Sequence, residues 1–580
     1  MKKKTLDRVK LMVRPYNKTL MLVTFLAIAL DVIALSKPFL VKYVINEFMS
    51  KGIDSNGFIS ISTISLIYIG LVILENVLEY FNFKKTNMVG ESIVFDFRNK
   101  LFQYMEKANI KFHDKVPSGK LFVRIMNDCE DVYMLFSEVI TTFVKDILVL
   151  VGIVCVLIYL SWKLALISFS VIPVLLITSL IFTKMLNNVY TKIKNERTKL
   201  NTFFAESIYG VKLIKVFNRQ REKQEECERL TTEYRRVAKP VGFLQGILPA
   251  SIMVIENIGI TLIVWAIVYK ITGSNIDIGL TYVFITYLKN MFEPIDRMIE
   301  NIEIIEEAAT SIDKINEIIE QDEYLEDFES GEYVNKLQGK IEFKNVWFAY
   351  EDENWVLKDV SFTIEPGQSV ALVGKTGSGK TTITNLINRF YEPQKGEILI
   401  DGVNIKDINL KSLRKNIGTI LQDPFIYAKS INDNVKMFDN ISDAKVEEAI
   451  KLASASNFVN NQELGVHTIA KERGNSYSAG QKQLIAFARI FALNPSIFIL
   501  DEATANIDTT TEELIQKSVD KLSADKTSIF IAHRLATIVN VDKIIVLSNG
   551  KIIEQGNHEE LVRSGGYYSS LYKAYYNSLV

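Results

Sequence analysis

Six apolar runs crowd the first half of this 580-residue chain, at about Leu20–Phe48, Phe58–Phe83, Val139–Leu160, Leu164–Met185, Val241–Ile271 and Ile276–Pro294. Each comes close to or exceeds the roughly 20 residues a helix needs to cross a bilayer. From about Gly339 onward the pattern changes to short strands and amphipathic helices, as in a soluble α/β domain. The acidic stretch from Gln321 to Asp327 reads as a solvated linker. The expected division is therefore a six-span helical transmembrane domain over 1–320, a linker over 321–338 and an α/β domain over 339–580.

Charge gives the orientation. The chain opens Met1-Lys2-Lys3-Lys4 and continues with Arg8, Lys10 and Arg14, and the connections after the second and fourth spans are rich in Lys and Arg. The remaining connections carry few basic residues. The positive-inside rule then puts both termini and the α/β domain on the cytoplasmic side of a multi-pass cell-membrane protein. The first span is too long for a cleaved signal, so it is expected to be retained. The 67 basic and 68 acidic residues nearly cancel, which gives no reason to expect a nucleic acid partner. Cys129, Cys155 and Cys227 lack metal-ligand spacing and read as reduced structural residues.

The α/β domain contains Gly374-Lys375-Thr376-Gly377-Ser378-Gly379-Lys380-Thr381, with Thr382 next, between the apolar strand Val370–Val373 and a helical stretch. This meets every fixed position of the phosphate-binding loop in its required context. Glycines let backbone N–H groups turn around phosphate oxygens, and the helix N-terminus adds favourable partial charge. Lys380 can reach the β- and γ-phosphates, and the Thr381 hydroxyl can hold Mg²⁺. The expected ligand is a nucleoside triphosphate. Further on, the buried-strand pattern Ile497–Leu500 ends in Asp501 and Glu502. Adjacent carboxylates at a strand end point to different sides. Asp501 is expected to hold Mg²⁺ through water, and Glu502 to orient or deprotonate the attacking water.

Between these motifs stands Tyr477-Ser478-Ala479-Gly480-Gln481, which resembles the LSGGQ signature of the ABC (ATP-binding cassette) ATPases. The resemblance implies roles for other residues. Gln422 matches the Q-loop glutamine, a sensor of Mg²⁺ and the attacking water. His533 matches the switch histidine at the γ-phosphate, Asp508 the D-loop, and Tyr350 the aromatic set against adenine. Ser478, Gly480 and Gln481 would meet the ATP held by a partner's phosphate loop, so that two ATP molecules join two cassettes. Six spans before one cassette look like an exporter-type half-transporter. Phe112-His113-Asp114 with Gly119, Arg124 and Asp128 resembles the first cytoplasmic loop, Phe204–Gly210 the second, and Glu472-Arg473-Gly474 the X-loop that touches these loops.

The signature departs from the family at Tyr477 and Ala479, while Glu502 and His533 are intact. An added Cβ matters if the backbone needs positive φ or a close approach to phosphate. The combination resembles one subunit of a heterodimeric multidrug exporter, so the expected partner is a different half-transporter rather than a second copy. The expected function is ATP-driven export of a hydrophobic or amphiphilic substrate from a lipid bilayer. Lipid or peptide export and an ATP-gated channel are the alternatives. Asp31, Glu75, Glu79, Lys145, Asp146, Glu256 and Lys289 lie in or near the spans. They read either as lining a wet path for cationic amphiphiles or as pairing between helices.

Overall fold

The computed structural model describes residues 13–49, 61–269, 278–321, 324–351, 353–437, 439–501, 508–531 and 538–576. By contacts the chain forms two compact units, one of residues 1–106 with 117–322, the other of 107–116 with 323–580. The short segment 107–116, from the first cytoplasmic loop, thus belongs to the second unit.

The first unit is helical, as a backbone in hydrocarbon must satisfy its own hydrogen bonds. It comprises α1 (Asn17–Val44) and α2 (Ile61–Lys107). The segment of the second unit contributes α3 (Ile110–Lys115). The first unit resumes with α4 (Ser118–Val123), α5 (Cys129–Met134), α6 (Ile140–Phe169), α7 (Ile172–Tyr209), α8 (Val211–Val216), α9 (Gln220–Val268) and α10 (Ile278–Ile319). Among the described residues, five helical stretches are long and apolar enough to span a membrane. The sixth expected span falls at the start of α10. The turn expected after Leu160 appears as a break inside α6, where Ser161 leaves helical geometry (φ −165°, ψ 105°). Ile153, Leu157, Val171, Ile263, Phe284 and Tyr287 form the core of this unit.

Several charged side chains of this unit are paired across helices, whereas both carboxylate oxygens of Asp31 are buried without a hydrogen-bond partner among the described residues. Lys37 meets Glu75 at 2.6 Å, Arg297 meets Asp146 at 2.6 Å, and Lys289 meets Glu256 at 3.7 Å. An uncompensated charge at mid-membrane costs about 2.5–3.5 kcal/mol on insertion scales, so a cross-helix partner is the cheaper arrangement. Of the two readings of these acids, pairing is the one found at Glu75, Asp146 and Glu256.

The second unit holds two sheets and a flanking set of helices. Its antiparallel sheet runs in the order β2 (Trp355–Ile364), β1 (Ile341–Ala349), β4 (Lys395–Ile400), β5 (Val403–Asn404). The larger sheet contains β3 (Ser369–Val373), β6 (Ile417–Ile420), β7 (Ile497–Asp501), β8 (Thr527–Ile531), β9 (Lys543–Ser548) and β10 (Lys551–Gly556), in the order β10-β9-β3-β8-β7-β6. The pairs β3–β8, β3–β9, β7–β8 and β6–β7 are parallel. Parallel strands are buried on both faces, and β8 is buried at every position. The helices α11 (Lys380–Ile387), α12 (Leu410–Asn416), α13 (Ile431–Lys436), α14 (Asp443–Leu452), α15 (Ser456–Asn460), α16 (Ala479–Leu493), α17 (Thr509–Ser523), α18 (His558–Arg563) and α19 (Tyr567–Tyr576) complete it.

Candidate functional site

Strand order assembles the motifs. The phosphate loop follows β3, and Gln422 follows β6, which ends at Ile420. Asp501 is the last residue of β7. Strand β8 ends at Ile531, two positions before His533 in the chain. Because β3, β8, β7 and β6 are neighbours and parallel, the carboxyl ends of all four strands lie along one edge of the sheet. That edge is where ligands bind in open α/β sheets. Glu502 and His533 themselves lie outside the described residues.

The phosphate loop has its required shape. Gly377 and Gly379 have φ of +80° and +103°, a region open to glycine. A Cβ on Gly374 would come within 2.3 Å of the Leu547 carbonyl oxygen, and one on Gly379 within 2.6 Å of the Leu357 side chain. Lys375, Thr376, Gly377 and Thr381 are exposed, whereas Ser378, Lys380 and Thr382 are buried. Lys380 Nζ donates to the carbonyl oxygens of Gly374 at 2.8 Å and Lys375 at 3.2 Å, so the cation is held against the loop. The Ser378 hydroxyl is buried without a hydrogen-bond partner among the described residues. An orphaned donor beside a lysine and a helix N-terminus fits a polyphosphate.

Tyr350 lies close to the same helix. Its hydroxyl is 3.2 Å from Thr382 Oγ1 and accepts from Asn385 Nδ2 at 3.2 Å. Tyr350 as a residue is 40% exposed, so it is open to a ligand.

The signature segment opens α16. Ser478 is its N-cap, with the hydroxyl accepting from Gln481 N–H and the Gln481 amide oxygen accepting from Ser478 N–H, a capping box. Gly480 is buried in the first turn. Ala479 is the first helical residue and has no positive φ. The concern that its Cβ strains the backbone is thereby removed, since alanine is favoured over glycine in a helix by up to about 1 kcal/mol.

Comparison with known proteins matches this arrangement. Residues 20–295 match the model of the ABC transporter transmembrane region, and residues 357–505 match that of the ABC transporter cassette. The chain is 31% identical to the "ATP-dependent lipid A-core flippase" of Syntrophus aciditrophicus, over 93% of this chain and 89% of that protein. It is 34% identical to a Bacillus subtilis protein described as "Probable multidrug resistance ABC transporter ATP-binding/permease protein YheH", over 87% of this chain and 76% of the relative. The chain belongs to the ABC transporter family. Its fold is similar to that of a bacterial Atm1-family ABC exporter with ATP bound, with a TM-score of 0.78 at 24% identity, covering 97% of this chain and 98% of the other.

The chain is thus an exporter-type half-transporter, a membrane protein whose cassette binds and hydrolyses ATP. A Mg²⁺ ion would be held by the Thr381 hydroxyl, the Asp501 carboxylate and the Gln422 amide oxygen, all hard oxygens of the kind that ion takes. When bound, the ion would neutralise charge on the transferred phosphoryl group.

Other residues support the site. Asp508 caps α17, accepting from Thr511 N–H at 2.9 Å and from the Thr510 hydroxyl at 2.5 Å. These bonds, the Thr510 one foremost, pull its carboxyl down to about 2, so it stays ionised throughout the physiological range. Sequence reasoning passed over Gln483. Buried in α16, it donates to the backbone oxygen of Gln422 at 3.0 Å and ties the signature helix to the Q-loop. Its spacing, two positions after Gln481, resembles any helical interior, so only the contact reveals it. Gly474 in the X-loop has φ +63°, and a Cβ there would come within 2.9 Å of the Ile426 side chain.

Tyr477 is not a phosphate ligand. Its ring is buried edge-on against Phe458, with centroids 5.3 Å apart, and its hydroxyl has no hydrogen-bond partner among the described residues. A buried orphan hydroxyl costs about 1–3 kcal/mol. Tyr477→Phe is therefore expected to leave ATP hydrolysis unchanged and to raise the melting temperature of the purified protein. Thermal unfolding followed by tryptophan fluorescence measures this, and a lowered midpoint contradicts it.

Proposed function

We propose that this ABC exporter works as a dimer of half-transporters that moves a hydrophobic or amphiphilic small molecule outward across the cytoplasmic membrane, using ATP with Mg²⁺. The observation that carries this reading is the convergence of the phosphate loop, Gln422 and Asp501 on one sheet edge, together with a separate capped signature helix. A signature helix contributes when it meets the phosphates of another cassette, which supports a dimer. ATP then acts as a ligand that favours the closed state, Glu502 and His533 return the dimer to the open one, and Asp508 lines their shared boundary. Basic cytoplasmic loops support an inward-facing cassette and termini.

An exposed apolar surface supports the partner. Around α8 in the second cytoplasmic loop, Ile208, Tyr209, Leu213, Val216 and Phe217 are all more than 60% exposed. A cluster of that kind marks an interaction site on a soluble surface. The heterodimer reading rests on the altered signature beside an intact Glu502 and His533; the helical backbone at Ala479 removes strain as a reason the change would matter and leaves the close approach of phosphate to its Cβ. The heterodimer is thus the reading under test. The relatives named for lipid A-core flipping and multidrug resistance support an amphiphile as cargo.

The test is the mass and ATPase activity of this chain purified alone in lipid nanodiscs, with and without ethidium. Under the heterodimer reading it is monomeric or inert alone. A dimer with stimulated hydrolysis would establish a self-sufficient homodimer.

A further inference from the structure

We propose that Tyr391 passes occupancy of the adenine platform to the first cytoplasmic loop, through a chain running Tyr350–Tyr391–Asp114. This rests on Tyr350 being the adenine platform, and adds how its occupancy is read out.

The loop segment is anchored on the cassette unit at two places. The first concerns shape alone. Asn109 caps α3 through the Phe112 N–H and donates its own N–H to the Tyr324 carbonyl at 2.7 Å. Phe112 is fully buried with the Tyr324 ring 5.8 Å away, and Lys115 Nζ donates to the Tyr324 hydroxyl at 2.9 Å.

The second anchor is Tyr391, whose hydroxyl donates to the Asp114 carboxylate. Burial first, then the Asp114 bond and charge, push the Tyr391 phenol up, so it remains a donor at neutral pH. The Tyr391 ring stands edge-to-face with Tyr350, centroids 5.0 Å apart at 88°, and both stand edge-on to the buried Phe348. The Tyr350 hydroxyl in turn meets Thr382 and Asn385 on α11, the helix that begins with Lys380. The base platform thus belongs to one aromatic cluster, whose far end holds α3.

Edge-to-face pairs depend on mutual orientation. A base stacked on Tyr350 fixes that ring, which sets Tyr391 and, through its hydroxyl, Asp114. A cavity of about 500 Å³, lined in part by Asn109, Lys111, Tyr350, Arg389 and Tyr391, gives the rings room to turn. The chain leaves α3 directly into α2 on one side and α4 on the other, so backbone continuity carries a shift at Asp114 toward the membrane helices. Tyr391 is a positioning residue in this scheme and touches no reacting atom.

Hydrogen exchange of the Ile110–Lys115 amides in the full-length protein in nanodiscs tests this, with binding of the non-hydrolysable analogue AMP-PNP measured alongside. Mg²⁺ with AMP-PNP is expected to slow exchange about tenfold, whereas Mg²⁺ with tripolyphosphate, which lacks the base, leaves it unchanged. Tyr391→Phe keeps the ring and loses the donor. It should bind AMP-PNP with unaltered Kd yet show almost none of the slowing, and Asp114→Asn should weaken the response in the same way. Equal slowing in Tyr391→Phe, or slowing by tripolyphosphate, overturns the proposal. Binding without any slowing in the natural protein sinks this relay alone, whereas failure to bind AMP-PNP sinks the nucleotide reading with it.

Discussion

Glu502→Gln is expected to keep ATP bound while losing about 10²–10⁴-fold in turnover, the usual worth of a positioned general base. Asp501, its neighbour, ends β7, the strand between β8 and β6 in the parallel sheet. Glu502 follows it directly in the chain. Glutamine is nearly isosteric and can still orient a water, but it cannot take its proton. Closure of the cassettes on ATP would then be unrelieved. The measurement is phosphate release in nanodiscs, with particle mass followed in the presence of ATP. The expected outcome is a persistent ATP-bound dimer that releases little phosphate. Full turnover in this variant would take the role of base away from Glu502.

Lys380→Ala should fail at the earlier step. The ammonium bonds two carbonyl oxygens of its own loop, so the substitution removes a support for the loop's shape as well as the proposed phosphate ligand. A hydrogen bond to a charged group contributes about 1.5–3 kcal/mol, so losing the ammonium–phosphate contact is expected to weaken ATP binding by about 10- to 100-fold. Equilibrium binding of a fluorescent ATP analogue measures the loss directly. The two variants form a pair, since both stop ATP-driven transport but only Glu502→Gln accumulates the bound dimer. An unchanged affinity in Lys380→Ala would show that the loop does not take its ligand through this side chain.

Much of the cassette was legible because its motifs are local. The run Gly374–Thr381 needs one strand before it and one helix after it, and those sit within a few residues in the chain. Ser478 as an N-cap was equally readable, since a capping box spans only three residues. The effect of Ala479 was not. Whether its Cβ strains the backbone depends on φ, and φ there depends on α16 beginning at that residue. Tyr477 likewise looked like a change in a phosphate motif until its ring was found packed on Phe458.

By itself the sequence determined which segments can cross a bilayer, which loop can cradle phosphate, and which family the chain resembles. Each depends on residue type over a short span, where helix rise, bilayer thickness and backbone freedom leave few alternatives. Only the tertiary structure decided which distant groups meet. Strand order brings the loops after β3, β6 and β7 to one edge. Helix packing sets Glu75 on Lys37 and Asp146 on Arg297, so that acids open to a substrate role are engaged by basic partners. Placement of α3 beside Tyr391 gives Asp114 a donor more than 250 residues away in the chain. The physical reason is common to all three. Such contacts form only when packing of the intervening core brings remote segments together, and no local pattern of residues encodes which partner a charged or aromatic side chain will face.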